Sequence, residues 1–172
     1  ILSTLHTNDA PSSITRLVDL GIERFRVASS LDGVVAQRLV RRVCVACAEH
    51  RVPSAETIER IGGEANLPGA RAWKAGRGCD LCGRSGYRGR TAIHELLLVT
   101  DEIRDMIARG ESEHQIRAAA RPSGMRTLFE DAVQKAVQGI TTLEEVLRGA
   151  PPDEQAKAPA TQPLPVGEPN PV

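Results

Sequence analysis

The chain has 172 residues, 41% of them apolar but only 2% aromatic, so its core has to be built from Leu, Val, Ile and Ala. Its 22 basic residues balance 22 acidic ones, which excludes the broad basic field of a nucleic-acid binder but leaves room for a local patch. No run is apolar for long enough to cross a bilayer, so membrane contact is expected only through a partner.

The first residues, from Ile1 to Leu5, suit a buried strand. A charged terminus is costly to place inside a sheet, so further sequence is expected before residue 1. "NDAPSSITRLVDLGI" then reads as a helix: Asn8 or Asp9 caps it, Pro11 sits in its first turn, and Ile14, Leu17, Val18 and Leu20 form its apolar face. Gly21 stops it. "FRVASSL" predicts a short helix or turn, and the β-branched "GVVAQRLVRRV" a strand. The polar stretch between Cys47 and Cys79 reads as an insertion with a short helical piece near "SAETIERI".

"GYRGRTAIHELLLV" predicts a turn and a strand, followed by three helices. "DEIRDMIARG" starts at Thr100 or Asp101 and stops at Gly110; "SEHQIRAAA" ends before Pro122; "TLFEDAVQKAVQG" repeats apolar residues at helical spacing through Leu128, Ala132, Val133, Ala136 and Val137. "TTLEEVLRG" closes the fold, with Thr142 and Glu145 at capping-box spacing. From Pro151 onward the proline-rich composition predicts a disordered tail.

All four cysteines fall in two C-x-x-C pairs, Cys44/Cys47 and Cys79/Cys82, separated by residues 48–78, a longer interval than a zinc ribbon usually has. Two such turns can deliver four thiolates to one tetrahedral Zn²⁺, and the glycines of "GRGCDLCGRSG" suit the tight knuckles this needs. The competing readings are a redox pair, which needs one C-x-x-C at a helix start after a strand, and disulfides, which need an oxidising compartment. His50 is a further candidate ligand, read as a surface residue.

His6 follows the first strand and precedes a helix N-terminus, the position at which α/β folds bind phosphate, with Ser3, Thr4, Thr7 and Asn8 alongside. A glycine-rich phosphate loop ending in Gly-Lys is absent, since the three lysines follow Trp73, Gln134 and Ala156. Nor does any apolar strand end in acids suited to hold Mg²⁺. The chain is not expected to hydrolyse a nucleotide unaided.

Taken together, "STLHTNDAPSSITRLVDLGI", "GVVAQRLVRRVC", the paired C-x-x-C motifs, "GYRGRTAIHELL" and "QGITTLEEVLR" resemble the type II secretion and type IV pilus assembly ATPases of the general secretory pathway protein E family. The resemblance covers Ile1 to about Gly149. It implies an α/β fold: the C-terminal part of a RecA-like P-loop NTPase domain with an inserted four-cysteine zinc subdomain and a C-terminal helical subdomain. The implied division is residues 1–43 for the ATPase core with its His box, 44–86 for the zinc subdomain, 87–100 for a return strand, 101–149 for the helical subdomain and 150–172 for the tail.

By the same resemblance, His6 lies on the γ-phosphate side of bound ATP, and Thr7, Arg16, Gln37, Arg38 and Arg41 face the nucleotide or a neighbouring subunit. Cys44, Cys47, Cys79 and Cys82 hold Zn²⁺, and ATP and Mg²⁺ bind the full-length parent, an ATPase. That parent is expected to be a cytoplasmic homo-hexamer, peripheral at the inner face of the plasma membrane, driving an inner-membrane platform and other secretion proteins. "IHELLLV" and "QGITTLEEV" lean towards the type II secretion branch, with pilus assembly as the alternative. A reading of another class is a stand-alone zinc-ribbon module for nucleic acid or protein, in which Arg84, Arg88 and Arg90 touch phosphates and Tyr87 stacks on a base.

Overall fold

The computed structural model describes residues 1–63, 67 and 73–152. Helix α1 (Ala10–Asp19) begins where the sequence predicts: Asp9 accepts from the Ser12 backbone N–H, and the Ser12 side chain accepts from the Asp9 N–H. Pro11 lies in its first turn, where the missing N–H costs nothing. A short α2 (Arg24–Ser30) follows, then β1 (Gly33–Val43), which pairs antiparallel with β4 (Tyr87–Leu98).

Alternation along this pair decides what the molecule buries. Val34 stands opposite Leu97, Ala36 opposite Glu95 and Arg38 opposite Ile93, so these residues share the face turned to the helices. Val35, Leu39, Leu96 and Leu98 alternate onto the other face and are exposed.

After the β1–β4 pair come α4 (Asp101–Arg109), α5 (Glu113–Ala120), α6 (Leu128–Val137) and α7 (Leu143–Gly149). Thr100, Ser112, Thr127 and Thr142 cap their N-termini, and Gly110 ends α4 in the left-handed conformation. Helix α2 packs on α4, α1 on α5, α6 across β4, and α7 beside β1. The core is aliphatic as composition requires: Val40, Ile93, Leu97, Ile103, Ile107, Ile116, Leu143 and Val146 are essentially inaccessible. Each such side chain contributes about 1.5–3 kcal/mol of burial.

Several sequence expectations differ from what is observed, beginning with Leu20, which lies past the end of α1 and is exposed instead of on its apolar face. Ile1–Leu5 form no strand: Ile1 and Leu2 are fully exposed, because an extended segment becomes a strand only where a neighbour accepts its hydrogen bonds. The insertion carries a second sheet, β2 (Ala48–Arg51) paired with β3 (Trp73–Gly76), besides the predicted helix α3 (Ala55–Arg60). Ala150, assigned to the tail by the 150–172 boundary, is buried and donates its N–H to the Val146 carbonyl. Residues 153–172 lie outside the described residues.

Candidate metal centre and His6 loop

The end of β1 and the turn before β4 bring the two C-x-x-C segments face to face. Two main-chain hydrogen bonds hold them there: Cys44 N–H to the Gly86 carbonyl at 2.9 Å and Arg77 N–H to the Cys47 carbonyl at 2.9 Å. The approach is possible because residues 76 and 86 are glycines. A Cβ on Gly76 would stand 2.0 Å from the Gly86 oxygen, and one on Gly86 would stand 2.5 Å from the Gly76 oxygen.

Four sulfurs each about 2.3 Å from a common ion lie roughly 3.8 Å apart. In this structure Cys44 and Cys79 are separated by 3.9 Å, Cys47 and Cys82 by 3.9 Å, and Cys79 and Cys82 by 3.8 Å. All four Sγ atoms lie within 4.8 Å of one another, so the set is shaped to hold one tetrahedral ion. Bonded sulfurs would be about 2.05 Å apart, and the cysteines are free thiols. Cys79 opens only a three-residue 3-10 turn (Asp80–Cys82), which is not the helix start of a redox pair. His50 is exposed on β2 and outside the cluster.

The sulfurs also receive backbone donors. Gly78 N–H reaches Cys47 at 3.3 Å, while Cys79 and Gly86 N–H groups reach Cys82 at 3.2 and 3.3 Å. The Cys79 N–H above all, with Gly86 and against the opposing effect of burial, lowers the Cys82 thiol to about 6. Burial pushes the Cys47 thiol up to about 11, opposed by the Gly78 N–H. Ready deprotonation of one sulfur beside close neighbours suits a cation-binding set.

The module is fastened to the helices by a second cluster. Tyr87 donates or accepts a 3.0 Å hydrogen bond with Thr142, and the Arg41 guanidinium stacks 3.9 Å from the centre of the Tyr87 ring. Arg41 also binds Glu145 through Nε at 2.9 Å, Nη2 at 2.5 Å and its backbone N–H at 3.0 Å. Arg148 adds two more bonds to the same carboxylate, at 2.8 and 2.6 Å. Glu145 therefore does not close the capping box its spacing predicts. Thr142 still accepts from the Glu145 N–H, but the carboxylate serves the two arginines. Burial alone would raise its pKa; the arginine hydrogen bonds overcome this and hold it at about 2.

Beside the middle of β1, His6 is exposed and the residues after it are restrained one by one. Thr7 Oγ1 lies 2.8 Å from Ser13 Oγ and donates to the Asp9 carbonyl at 3.2 Å. Arg38 donates to the Asn8 carbonyl at 3.0 Å and to the Gly149 carbonyl at 2.8 Å. Arg117 donates to Asp9 at 2.7 Å and to Glu95 at 3.4 Å, and Glu95 accepts from the Ala10 N–H at 2.8 Å and the Leu128 N–H at 3.2 Å. Asn8, Asp9, Arg38, Glu95 and Arg117 line a pocket of about 110 Å³.

Glu95 is 1% exposed, and its burial raises its pKa against the pull of those N–H groups and Arg117. Arg16 and Gln37 are exposed, on α1 and on the outer face of β1. Of the site residues singled out by sequence, Thr7 and Arg38 belong with the loop after His6 and Arg41 with the cysteine end of β1, while the Arg16 and Gln37 side chains are drawn into neither. Glu95 and Arg117 carry no site assignment from the sequence, and Glu145 reads there only as a capping-box residue. The signal for Glu95 was an acid at an inward position of "IHELL", between Ile93 and Leu97.

A family model described as "Type II/IV secretion system protein" matches residues 1–148. The chain belongs to this family. Relatives within it include the type IV pilus assembly ATPase PilB of Thermus thermophilus, 55% identical over 148 residues, which are 86% of this chain and 16% of that protein. The type II secretion system protein HxcR of Pseudomonas aeruginosa is 48% identical over 86% of the chain and 28% of its own length. The type II secretion system ATPase E of Vibrio cholerae is 43% identical over 86% of the chain and 29% of its own length. The chain therefore spans between about a sixth and under a third of the relatives it matches. No helix among the described residues is long and apolar enough to cross a membrane.

Proposed function

We propose that this chain is the C-terminal part of a motor ATPase subunit that couples ATP hydrolysis to type II protein secretion through pseudopilus assembly. The observation that carries the reading is the family match across residues 1–148, shared with relatives named as secretion and pilus ATPases. Type IV pilus assembly is the second reading, favoured by the 55% identity to a pilus assembly ATPase.

In this reading the chain supplies the end of a RecA-like domain, and the phosphate loop and Mg²⁺-binding acids belong to preceding sequence. His6 stands on the γ-phosphate side as a hydrogen-bonding group, with Thr7 beside it. Arg16 and Gln37, both exposed, are available to a nucleotide or to a neighbouring subunit of a homo-hexamer. Arg38 and Arg41 already hold partners within the chain, which supports a structural share in their roles. The four thiolates bind Zn²⁺, which cross-links the two knuckles into a rigid docking element. The assembled motor works in the cytoplasm against an inner-membrane platform.

The stand-alone nucleic-acid reading is the weaker one, because one face of Tyr87 is covered by Arg41 and its hydroxyl is bonded to Thr142. The test is the reading frame upstream of Ile1. Continuation into a G-x-x-x-x-G-K-[ST] loop, with ATP turnover by the full-length protein that falls in His6→Ala, is the expected result. A start codon immediately before Ile1 would remove the motor reading.

A further inference from the structure

Helix α1 is already terminated by its own Asp9–Ser12 capping box, yet three distant side chains also converge on residues 8–10. One of them, Glu95, is a carboxylate buried to 1% exposure, a costly device where an apolar residue would fill the core as well. Its two oxygens divide between the start of α1 and the start of α6, and Arg117 joins it to Asp9. The backbone immediately after His6 is thus tied to β1 through Arg38, to β4 through Glu95 and to α5 through Arg117. The His6 side chain itself stays exposed.

We infer that Glu95 and Arg117 are positioning residues for His6: they fix the backbone from Asn8 to Ala10 so that the imidazole is presented from a rigid base. The inference rests on the reading of His6 as a γ-phosphate-side group. Neither residue is placed in contact with nucleotide; both act through the loop. Loosening the loop would lower turnover, while substrate affinity, set largely by other contacts, would change little.

The experiment is a double-mutant cycle in the full-length ATPase, with kcat and KM for ATP measured for Arg117→Gln, Arg117→Lys, His6→Ala and the Arg117→Gln/His6→Ala pair. Arg117→Gln is expected to lower kcat about tenfold with KM changed less than about twofold, and Arg117→Lys to restore most of the loss. In the His6→Ala background, Arg117→Gln should cost nothing further. Asp9→Asn provides a second variant should Arg117→Gln fail to fold, since asparagine still caps α1 while removing the charge that Arg117 holds. It should reproduce the kcat loss.

Losses that simply multiply in the double variant, or a lowered melting temperature with unchanged kcat, would overturn the positioning role and leave the His6 reading intact. An unchanged kcat in His6→Ala would remove both.

Discussion

Replacing Glu145 by glutamine tests whether the Arg41–Glu145–Arg148 cluster holds α7 against the base of the cysteine module. The carboxylate sits at about 2, displaced from an ordinary value of 4.5. At about 1.4 kcal/mol per pH unit this corresponds to roughly 3 kcal/mol of preference for the charged form in the fold. The Arg41 and Arg148 side chains are 43% and 61% exposed, so solvent screens part of that. We expect Glu145→Gln to lower unfolding free energy by about 2 kcal/mol at pH 7, because the amide also turns donors towards guanidinium groups that can only donate.

The sign of the pH dependence follows from the depressed folded value. The stabilisation is fully present above the unfolded value near 4.5 and is lost as pH falls towards about 2. Urea unfolding of both proteins at pH 7 and at steps between 4.5 and 2 is the assay. Metal loss on acidification affects both equally, so the gap between them reports Glu145, and it should close towards pH 2. Coincident curves at pH 7, or a gap that persists unchanged at pH 2, would refute the reasoning.

Removing one thiolate with Cys79→Ser should reduce bound zinc from one equivalent towards zero and open residues 44–82 to protease, read by elemental analysis and limited digestion. Zinc retained at one equivalent with unchanged cleavage would contradict the four-sulfur site. Gly86→Ala places a Cβ against the Gly76 carbonyl and at a φ of +78°, so the knuckles must separate; loss of metal and a fall in stability of several kcal/mol, about the upper range for single substitutions, are expected. Gly83→Ala is the control, since its φ is +57° but nothing lies within 4 Å; it should cost only about 1–2 kcal/mol and keep the metal. Ile93→Ala, at a fully buried position opposite Arg38, should cost about 2–5 kcal/mol in the same urea assay.

Local chemistry made much of this molecule legible from its sequence. Asp9, Thr100, Ser112, Thr127 and Thr142 each bear an oxygen that satisfies a free backbone N–H at a helix start, so those starts could be read one residue at a time. The two C-x-x-C turns and their glycines specify knuckle geometry within a few residues, and β-branched residues mark β1 as a strand. Pairing between distant segments is not local and was decided only in three dimensions. Ile1–Leu5 have strand-like residues but no strand beside them, while the four-residue β2 and β3 form because each supplies the other's hydrogen bonds. Glu145 has the spacing of a capping box, yet two arginines outcompete the cap for its carboxylate. Glu95, Arg117 and Asp9 are far apart in the chain and meet because burying Ile93 and Leu97 turns Glu95 inward with them, where a charge needs partners from whichever elements surround it.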